Sequence, residues 1–375
     1  MIRSSRLLTL VFLLPLLLLT ACSGGSSMPS ATTEGDTLAL QYATLFHVTE
    51  LPDGVRLVEV GEEGEYHFAL VPQGQEADLP EGYVRVEVPI RNTLCMTALQ
   101  LSNFTALDAH DFVRGLTGTK NLYNPDILQR VADGRIQLIG MEGNFDTERI
   151  LAAAPDVIFI SPFKRGGYEA IKETGITLVP HLGYKELHPL GQAEWIKFIA
   201  LFIGKEAEAD SLFRHIEEEY NALKTLTAEV DHRPTVLSGE MHGANWYAVG
   251  GRSTLAQMFH DAGADYVLRD NEDTGGVNLQ YEELFAVASQ ADYWRILNSF
   301  HGDFSYEALR ASDPRNADFK AWKERHVIYC NMRQTPYYET APVSPHLLLE
   351  DLVAIFHPEL VESGYEPTYY HLLQE

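Results

Sequence analysis

Apolar residues recur at helical spacing in the middle of the chain. From Gly204 to about Thr227 they follow one another at intervals of three or four, with acids and bases between them. This spacing predicts one amphipathic helix, because an α-helix completes a turn every 3.6 residues. At about 1.5 Å per residue the helix would span roughly 33 Å, the width of a small domain. It is either an ordinary surface helix or a helix that joins two lobes.

Short apolar runs alternate with helical stretches on both sides of this helix. The runs predicted as strands are 84–90, 136–139, 157–160 and 176–179 before it, and 235–237, 266–268, 291–296 and 327–329 after it. Strands that alternate with helices predict a parallel α/β sheet, here one on each side. Residues 191–203 are apolar almost all round, which predicts a buried helix just before the long one.

The N-terminus carries the pattern of an export signal. Arg3 and Arg6 precede the apolar run 7–19, which ends in Leu-Thr-Ala-Cys at Cys22. A basic start and a short apolar core predict a secretory signal, and the run is too short to span a membrane. The ending resembles a bacterial lipobox, which implies cleavage before Cys22 and its acylation. The alternative is a plain signal peptide that happens to contain a cysteine.

The chain therefore divides into six predicted segments. Residues 23–33 are rich in Ser, Gly and Thr and suit a flexible tether, while turn signals and short strand patterns fill the next fifty residues. The segments are a signal peptide at 1–21, a lipidated tether at 22–36, a strand-rich segment at 37–82, an N-terminal α/β lobe at 83–190, a buried helix with the interlobe helix at 191–230, and a C-terminal α/β lobe at 231–375.

Charge and cysteine content narrow the possible partners. The net charge of −25 argues against nucleic acid and against an anionic membrane surface as binding partners. Cys95 and Cys330 lie far apart in sequence, and each sits in an apolar segment. In an exported protein they either pair or remain as two buried thiols, and the sequence leaves both alternatives open.

Motifs for catalysis and for metal binding are absent from the sequence. There is no Gly-x-Ser-x-Gly, no phosphate-binding loop and no context for a catalytic cysteine, so an enzyme is not predicted. None of the fourteen histidines has the paired spacing of a zinc site, and neither metal ligands nor a cofactor are predicted. The alternatives are an extracytoplasmic hydrolase or chelatase of two lobes, a receptor that captures a metal ion directly, and a surface adhesin, against which the long α/β alternation counts.

The order of lipobox, α/β lobe, long helix and second α/β lobe resembles the helical-backbone substrate-binding proteins of ABC importers. The passage from Glu148 to Val157, which reads Glu-x-Ile-Leu-x-x-x-Pro-Asp-Val, carries part of this resemblance. The passages 186–198, 250–253 and 261–266 are similar to a branch of the family in Bacteroidetes-type bacteria. The resemblance covers roughly residues 83–370 and implies two Rossmann-like lobes joined by a backbone helix. It implies a lipid-anchored periplasmic receptor for a ferric siderophore, haem or cobalamin, with a permease and its ATPase as partners.

In this family the ligand lies in the cleft between the lobes, lined by loops at strand ends. Arg side chains suit anionic oxygens and aromatic faces suit flat macrocycles. The residues that this places at the ligand are Arg91, Thr93, Tyr123, Lys164 and Arg165 in the first lobe, and Trp246, Tyr247, Arg252, Arg333, Tyr337 and Tyr338 in the second. The alternative for Trp246 is a place in the second lobe's core, and for Arg252 a cap on the next helix.

Family resemblance also implies two docking residues. In these receptors one acid on each lobe pairs with arginines of the permease, and the matching positions are Glu148 and Glu282. An internal similarity between 148–157 and 282–293, in which an acid precedes a short apolar helix, an Asp and a strand, sets this register. Locally, Glu148 is also a first-turn acid favoured by the helix dipole, and Glu283 is the alternative contact in the second lobe.

We predict that replacing Cys22 releases the protein from the membrane. Two acyl chains anchor a protein stably where one is marginal, so a Cys22→Ala variant should leave the membrane fraction and lose labelling by radioactive palmitate. A Ser23→Ala variant, altered one residue further on, should remain labelled and membrane-bound. Unchanged labelling of the Cys22→Ala variant would contradict the lipobox interpretation.

Overall fold

A five-stranded sheet precedes both lobes. The structure is a computed structural model that describes residues 36–141, 143–162 and 168–374. The strands lie in chain order as β1 (Asp36–Thr37), β2 (Phe46–Glu50), β3 (Arg56–Val60), β4 (Tyr66–Pro72) and β5 (Val84–Val88). Neighbouring strands are antiparallel except for the parallel pair β4 and β5. The predicted strand-rich segment is thus a sheet that continues to residue 88.

The first lobe is built on a parallel sheet of order β12-β11-β6-β7-β8. Its strands are β6 (Thr93–Cys95), β7 (Val113–Leu116), β8 (Gln137–Leu138), β11 (Val157–Ile160) and β12 (Thr177–Pro180), with β9 (Gly140–Met141) and β10 (Asn144–Phe145) as a separate antiparallel pair. Its helices are α1 (Ala98–Ala106), α2 (Pro125–Ala132), α3 (Thr147–Ala152) and α4 (Glu169–Lys172). β11 is buried at every residue, as expected for a central parallel strand.

Two consecutive helices lead from the first lobe to the second. They are α5 (Pro189–Ile203), which is buried along nearly its whole length, and α6 (Glu206–Leu226). Gly204 ends α5 at a φ of +70°, a left-handed conformation that glycine adopts without a steric penalty. α6 buries one stripe, Ala209, Phe213, Ile216 and Tyr220, so the amphipathic helix predicted from the spacing is confirmed.

The second lobe has a sheet of order β16-β13-β18-β19-β20, parallel except for its last strand. The strands of this sheet are β13 (Thr235–Ser238), β16 (Asp265–Tyr266), β18 (Tyr293–Asn298), β19 (Val327–Asn331) and β20 (His371–Leu372). A separate antiparallel ribbon consists of β14 (Glu240–His242), β15 (Asn245–Val249) and β17 (Gly276–Leu279). The helices are α7 (Thr254–Asp261), α8 (Tyr281–Ala288), α9 (Tyr306–Ser312), α10 (Lys320–Lys323), α11 (Tyr337–Thr340) and α12 (Pro345–Phe356). The predicted pair of α/β lobes joined by helices is therefore confirmed.

Two buried carboxylates fasten the N-terminal sheet to the start of α5. Glu194 is fully buried and accepts hydrogen bonds from the backbone N–H groups of residues 41–43, at 2.8 Å for Tyr42 and Ala43. Glu186 accepts from the N–H groups of residues 44 and 45 and from the Trp195 indole at 2.9 Å. Hydrogen bonds to a charged group contribute about 1.5–3 kcal/mol each, so these contacts hold the sheet firmly on the helix.

The two cysteines of the lobes are unpaired. Cys95 lies in β6 and Cys330 in β19, and both are free and buried. Burial raises the pKa of the Cys95 thiol well above its usual range and that of Cys330 to about 11. Of the two alternatives left by the sequence, the structure has the buried thiols. The acylation proposed at Cys22 lies outside the described residues, and within them no helix is long and apolar enough to cross a bilayer.

Two histidines that are shielded from solvent, the buried His181 and the half-buried His346, are held neutral. Burial lowers the pKa of His181 to about 3. Burial also lowers the pKa of His346, on α12, to about 4, helped by His215 of α6, whose ring centre lies 6.0 Å away. A histidine whose pKa is depressed on folding binds its proton more readily in the unfolded chain, so acid favours unfolding.

We predict that His346 makes the protein acid-sensitive. Its contribution to stability is complete above about pH 6.5 and is lost toward its folded pKa of about 4, at up to ~1.36 kcal/mol per pH unit. In urea titrations between pH 7 and 4, a His346→Gln variant should therefore lose unfolding free energy less steeply than the wild type. A variant at the exposed His232, His232→Gln, serves as the control. Equal slopes for His346→Gln and the wild type would refute the prediction.

Candidate ligand-binding cleft

A cavity of about 610 Å³ opens between the two lobes. Its size is typical of small-molecule sites. The first lobe contributes Thr97, Ala98, Leu99, Lys120, Asn121 and Ser161, α5 and the turn before it contribute Gln192 and Tyr184, and the second lobe contributes mostly apolar and aromatic residues. Many of these positions, including 97–99, 120–121 and Ser161 in the first lobe, follow the carboxyl end of a parallel strand, the edge where open α/β sheets bind ligands.

The first-lobe wall begins at the turn between β6 and α1. The Gln100 side chain accepts hydrogen bonds from the N–H groups of Met96 and Thr97 and donates to Ser161 Oγ at 2.9 Å. This fixes the turn and presents the first residues of α1 to the cavity. Lys120 lies on the same wall, so this side of the cavity favours negative charge.

Three tyrosines give the second-lobe wall its aromatic character. Tyr247 on β15 and Tyr338 on α11 remain 45% and 52% exposed, which leaves their rings accessible to a ligand. Tyr337 packs edge-on against Tyr338, with ring centres 5.3 Å apart. These three were predicted as ligand residues from the sequence, and the structure brings them together on the cavity.

Arg295 lines the cavity and forms no ion pair with an acid of the described residues. The side chain is only 6% exposed, and its Nε donates to the Tyr370 hydroxyl at 2.9 Å while Nη1 lies 3.5 Å from Ser238 Oγ. Tyr370 in turn donates to the Tyr337 hydroxyl at 3.1 Å. No Asp or Glu in the described part of the chain lies within 4.0 Å of the guanidinium. A buried charge of this kind is stabilised when a ligand supplies the counter-charge.

Glu240 is a second charged group on the cavity wall. Its Oε2 accepts a hydrogen bond from Asn298 Nδ2 at 3.2 Å, and its Oε1 lies 4.0 Å from His242 Nε2. Burial raises the pKa of this carboxyl. Among the described residues no Lys or Arg pairs with it.

Other residues predicted at the ligand lie away from the cavity. The Arg91 side chain is 79% exposed beside Asp156, and Thr93 is fully buried in β6, where its hydroxyl donates to the Val157 carbonyl at 3.0 Å. Arg91 precedes β6 and Thr93 begins it, so both lie at the edge of the sheet opposite the cavity. Lys164 and Arg165 lie outside the described residues.

The second lobe uses three further predicted residues in its own packing. Trp246 is fully buried between Trp294 and Phe319, because on β15 it faces inward where Tyr247 faces the cavity. Arg252 is exposed and pairs with Glu272 at 3.3 Å. Arg333 donates from Nε to the Ser299 carbonyl at 3.0 Å. None of Trp246, Arg252 and Arg333 lines the cavity.

Tyr123 joins the two lobes. Its backbone N–H donates to Glu339 Oε2 at 2.6 Å, and its hydroxyl donates to the Met332 carbonyl at 2.8 Å. The next N–H, of Asn124, donates to Glu339 Oε1 at 3.1 Å. Glu339 is 1% exposed and directly follows Tyr337 and Tyr338 on α11, so one short helix both lines the cavity and holds the opposite lobe.

Arg295 and Glu240 were absent from the sequence prediction. A signal for Arg295 existed, because it interrupts the apolar run 291–296 that predicts a buried strand, and arginine is almost never buried without a partner. Glu240 had no such signal, since an acid in a polar turn region is usually solvated. In the described part of the chain no group of three or more His, Cys, Asp or Glu side chains is arranged to hold a metal ion.

Comparisons with known proteins agree with this geometry. Residues 97–333 match the family described as "Periplasmic binding protein". An uncharacterized lipoprotein of Methanocaldococcus jannaschii is 28% identical over 305 residues, which covers 77% of this chain and 70% of the relative.

Solved structures share the fold. A periplasmic heme binding protein from Pseudomonas aeruginosa superposes with a TM-score of 0.60 at 14% identity, covering 76% of this chain and 99% of the other. A TroA-like periplasmic binding protein, FepB, from Veillonella parvula superposes with a TM-score of 0.55 at 17% identity, covering 76% of this chain and 95% of the other. Both are similar to this chain in architecture.

We predict that Glu339 holds the two lobes together. A Glu339→Ala variant leaves two backbone N–H groups without acceptors, each costing about 1–3 kcal/mol unless the lobes separate and water reaches them. The variant should unfold at lower urea concentration, and small-angle X-ray scattering should give a larger radius of gyration. Glu307→Ala, at an exposed acid on α9, is the control. Wild-type values in both measurements would show that the contact does not hold the lobes.

Proposed function

The chain belongs to the periplasmic binding protein family, and from that premise we propose that it captures an iron chelate or a tetrapyrrole between its lobes and delivers it to an ABC importer. The family and the structural neighbours are solute-binding proteins rather than enzymes. The ligands in question are a ferric siderophore, haem or cobalamin, and the partner is a membrane permease with its ATPase.

The observation that carries this proposal is the combination of aromatic faces and a buried cation in one interlobe cavity. Tyr247, Tyr337 and Tyr338 offer rings to a flat macrocycle or to the aromatic groups of a chelate. Arg295 offers N–H donors to carboxylate, catecholate or hydroxamate oxygens. The name of the Pseudomonas neighbour, a heme binding protein, supports a tetrapyrrole as one candidate.

Attachment to a membrane through Cys22 fits this function. A receptor that must meet its permease repeatedly gains from being held near it, since tethering raises the effective concentration. The relative from Methanocaldococcus is itself named a lipoprotein, which supports lipid anchoring and a place outside the cytoplasm.

We expect direct binding to identify the ligand. Purified protein is titrated with haemin, cobalamin, ferrichrome and ferric enterobactin while tryptophan fluorescence is followed, and at least one should bind with a stoichiometry of one. Tyr338→Ala should weaken that binding about tenfold, because it removes a stacking surface. Tyr66→Ala removes a comparably exposed tyrosine from the N-terminal sheet and should bind as the wild type does. Failure of all four ligands to bind would refute the proposed function.

Glu148 and Glu282 suit the proposed docking role. Glu148 is exposed in the first turn of α3, which leads into β11, and Glu282 is exposed in the first turn of α8, which leads into β18. Such helices run antiparallel to their strands, so both first turns lie at the sheet edge that faces the cleft. Two acids at like places on two lobes would fix the receptor's orientation over a two-fold permease.

Neighbouring acids already have local roles. Asp146 caps α3 by accepting from the Arg149 N–H at 3.0 Å, and Glu283 accepts from the Gln280 N–H at 3.3 Å in the capping box of α8. Glu282 makes a long contact of 3.9 Å with Arg315. These roles favour Glu148 and Glu282 over their neighbours as the docking pair.

We predict that reversing both charges abolishes delivery and spares ligand binding. The double variant Glu148→Lys, Glu282→Lys loses two first-turn acids, which costs about 0.3–1 kcal/mol each, too little to unfold the protein. It should bind ligand normally yet fail to stimulate the permease's ATPase in proteoliposomes. A matched double variant of first-turn acids on α6 and α9, Glu208→Lys with Glu307→Lys, should retain stimulation. Full stimulation by the first variant would exclude docking through these acids.

A further inference from the structure

Two side chains of opposite charge line the interlobe cavity and do not pair with each other. Arg295 lies on β18 and Glu240 on β14, and no atoms of the two charged groups come within 4.0 Å. An arginine and a glutamate that share a small, largely apolar cavity gain energy by forming an ion pair unless something holds them apart. Here separate hydrogen bonds hold each of them.

Neutral groups fix the position of Arg295. The Tyr370 hydroxyl accepts from Nε and Nη2, and Ser238 Oγ accepts from Nη1. A guanidinium has five N–H donors, so the described contacts leave donors for a ligand. None of these partners is an anion, so within the described residues this nearly buried charge has no close ion pair and is balanced in part only at longer range, by Glu240.

Polar side chains other than Lys or Arg hold Glu240 in a similar way. Asn298, at the end of β18, donates to Oε2, and His242 lies at the edge of ion-pair distance from Oε1. A carboxylate accepts about four hydrogen bonds, so most of its capacity remains open toward the cavity. Together the two residues give the cavity one positive and one negative pole.

We propose that the ligand is an amphoteric iron chelate, which places an anionic oxygen against Arg295 and a protonated amine or another N–H donor against Glu240. This inference rests on the proposed function and narrows its ligand class. A chelate with anionic groups alone would satisfy Arg295 but bring negative charge toward the Glu240 carboxylate, and a purely cationic one would do the reverse. The arrangement thus selects by repulsion as well as by attraction.

The experiment compares four ferric complexes of one linear trihydroxamate that differ only at the terminal amine. The amine is left free, acetylated, succinylated, or joined to the side-chain carboxyl of glutamate, which gives cationic, neutral, anionic and amphoteric probes. Affinities are measured at pH 8 for the wild type, Glu240→Gln, Arg295→Gln and the charge-conserving Arg295→Lys. Circular dichroism and thermal unfolding verify that each variant is folded.

The wild type should bind the amphoteric probe at least tenfold more tightly than the other three, as expected for charge-assisted hydrogen bonds. Glu240→Gln should remove the increase in affinity that the probe's amine provides. Arg295→Gln should remove the increase that the probe's carboxylate provides, and Arg295→Lys should keep part of it. The exposed pair on α9 provides the matched control variants Glu307→Gln and Arg310→Gln, which should change no affinity.

Equal affinity for all four probes, or binding of none, would overturn the inference. The proposed function is decided separately, because it falls only if the protein also fails to bind haemin, cobalamin, ferrichrome and ferric enterobactin. Should Arg295→Gln not fold, Arg295→Lys and Glu240→Gln still decide the question. If the probe's amine no longer raises affinity in the Glu240→Gln variant, that result by itself distinguishes a two-pole cavity from a simple anion site.

Discussion

The need to bury helix α5 on all sides governs the architecture. Thirteen of its fifteen residues are buried, and they include Trp195, Phe198 and Phe202. A helix that is apolar all round has no face to leave in water. The lobes and α6 cover part of it, and the N-terminal sheet covers the rest, with Phe46 packed 4.8 Å from Trp195 and 5.2 Å from Phe198 between ring centres. The strand-rich segment is therefore a cover for the helical connection, held there by Glu186 and Glu194.

Rigid support for the cleft follows from this packing. Gln192 of α5 lines the cavity, and the helix is anchored in a core that extends from the N-terminal sheet to α12. On the opposite side, the hydrogen bonds from Tyr123 and Asn124 to Glu339 join the lobes directly. The cavity is thus bounded by a fixed helical wall and by a polar contact that water can replace. The two boundaries differ in strength because exposing a buried apolar helix to water costs much free energy, whereas water can replace a protein–protein hydrogen bond at little net cost.

Some of the residues predicted at the ligand line the cavity, and they do so where exposure and strand ends coincide. Tyr337 and Tyr338 lie on α11, the short helix that follows β19, so their presence at the cavity follows from local pattern. Tyr247 also reaches the cavity, from β15, where its neighbour Trp246 faces inward. Trp246 illustrates the limit, because adjacent residues of a strand point to opposite faces and the sequence does not say which face meets the core. Arg295 shows the converse: its strand was predicted, but its role depends on Tyr370, which is seventy-five residues away in sequence.

The sequence by itself determined the two α/β lobes, the amphipathic α6 and the buried α5, because periodicity of apolar residues reports directly on which face of an element is buried. It also carried the family resemblance, through motifs of adjacent residues. Only the tertiary structure decided that Cys95 and Cys330 stay apart, that Tyr123 bridges the lobes, and that Arg295 and Glu240 share one cavity unpaired. Such facts depend on contacts between residues distant in the chain, and a local pattern contains no information about which distant partner a charged side chain will meet.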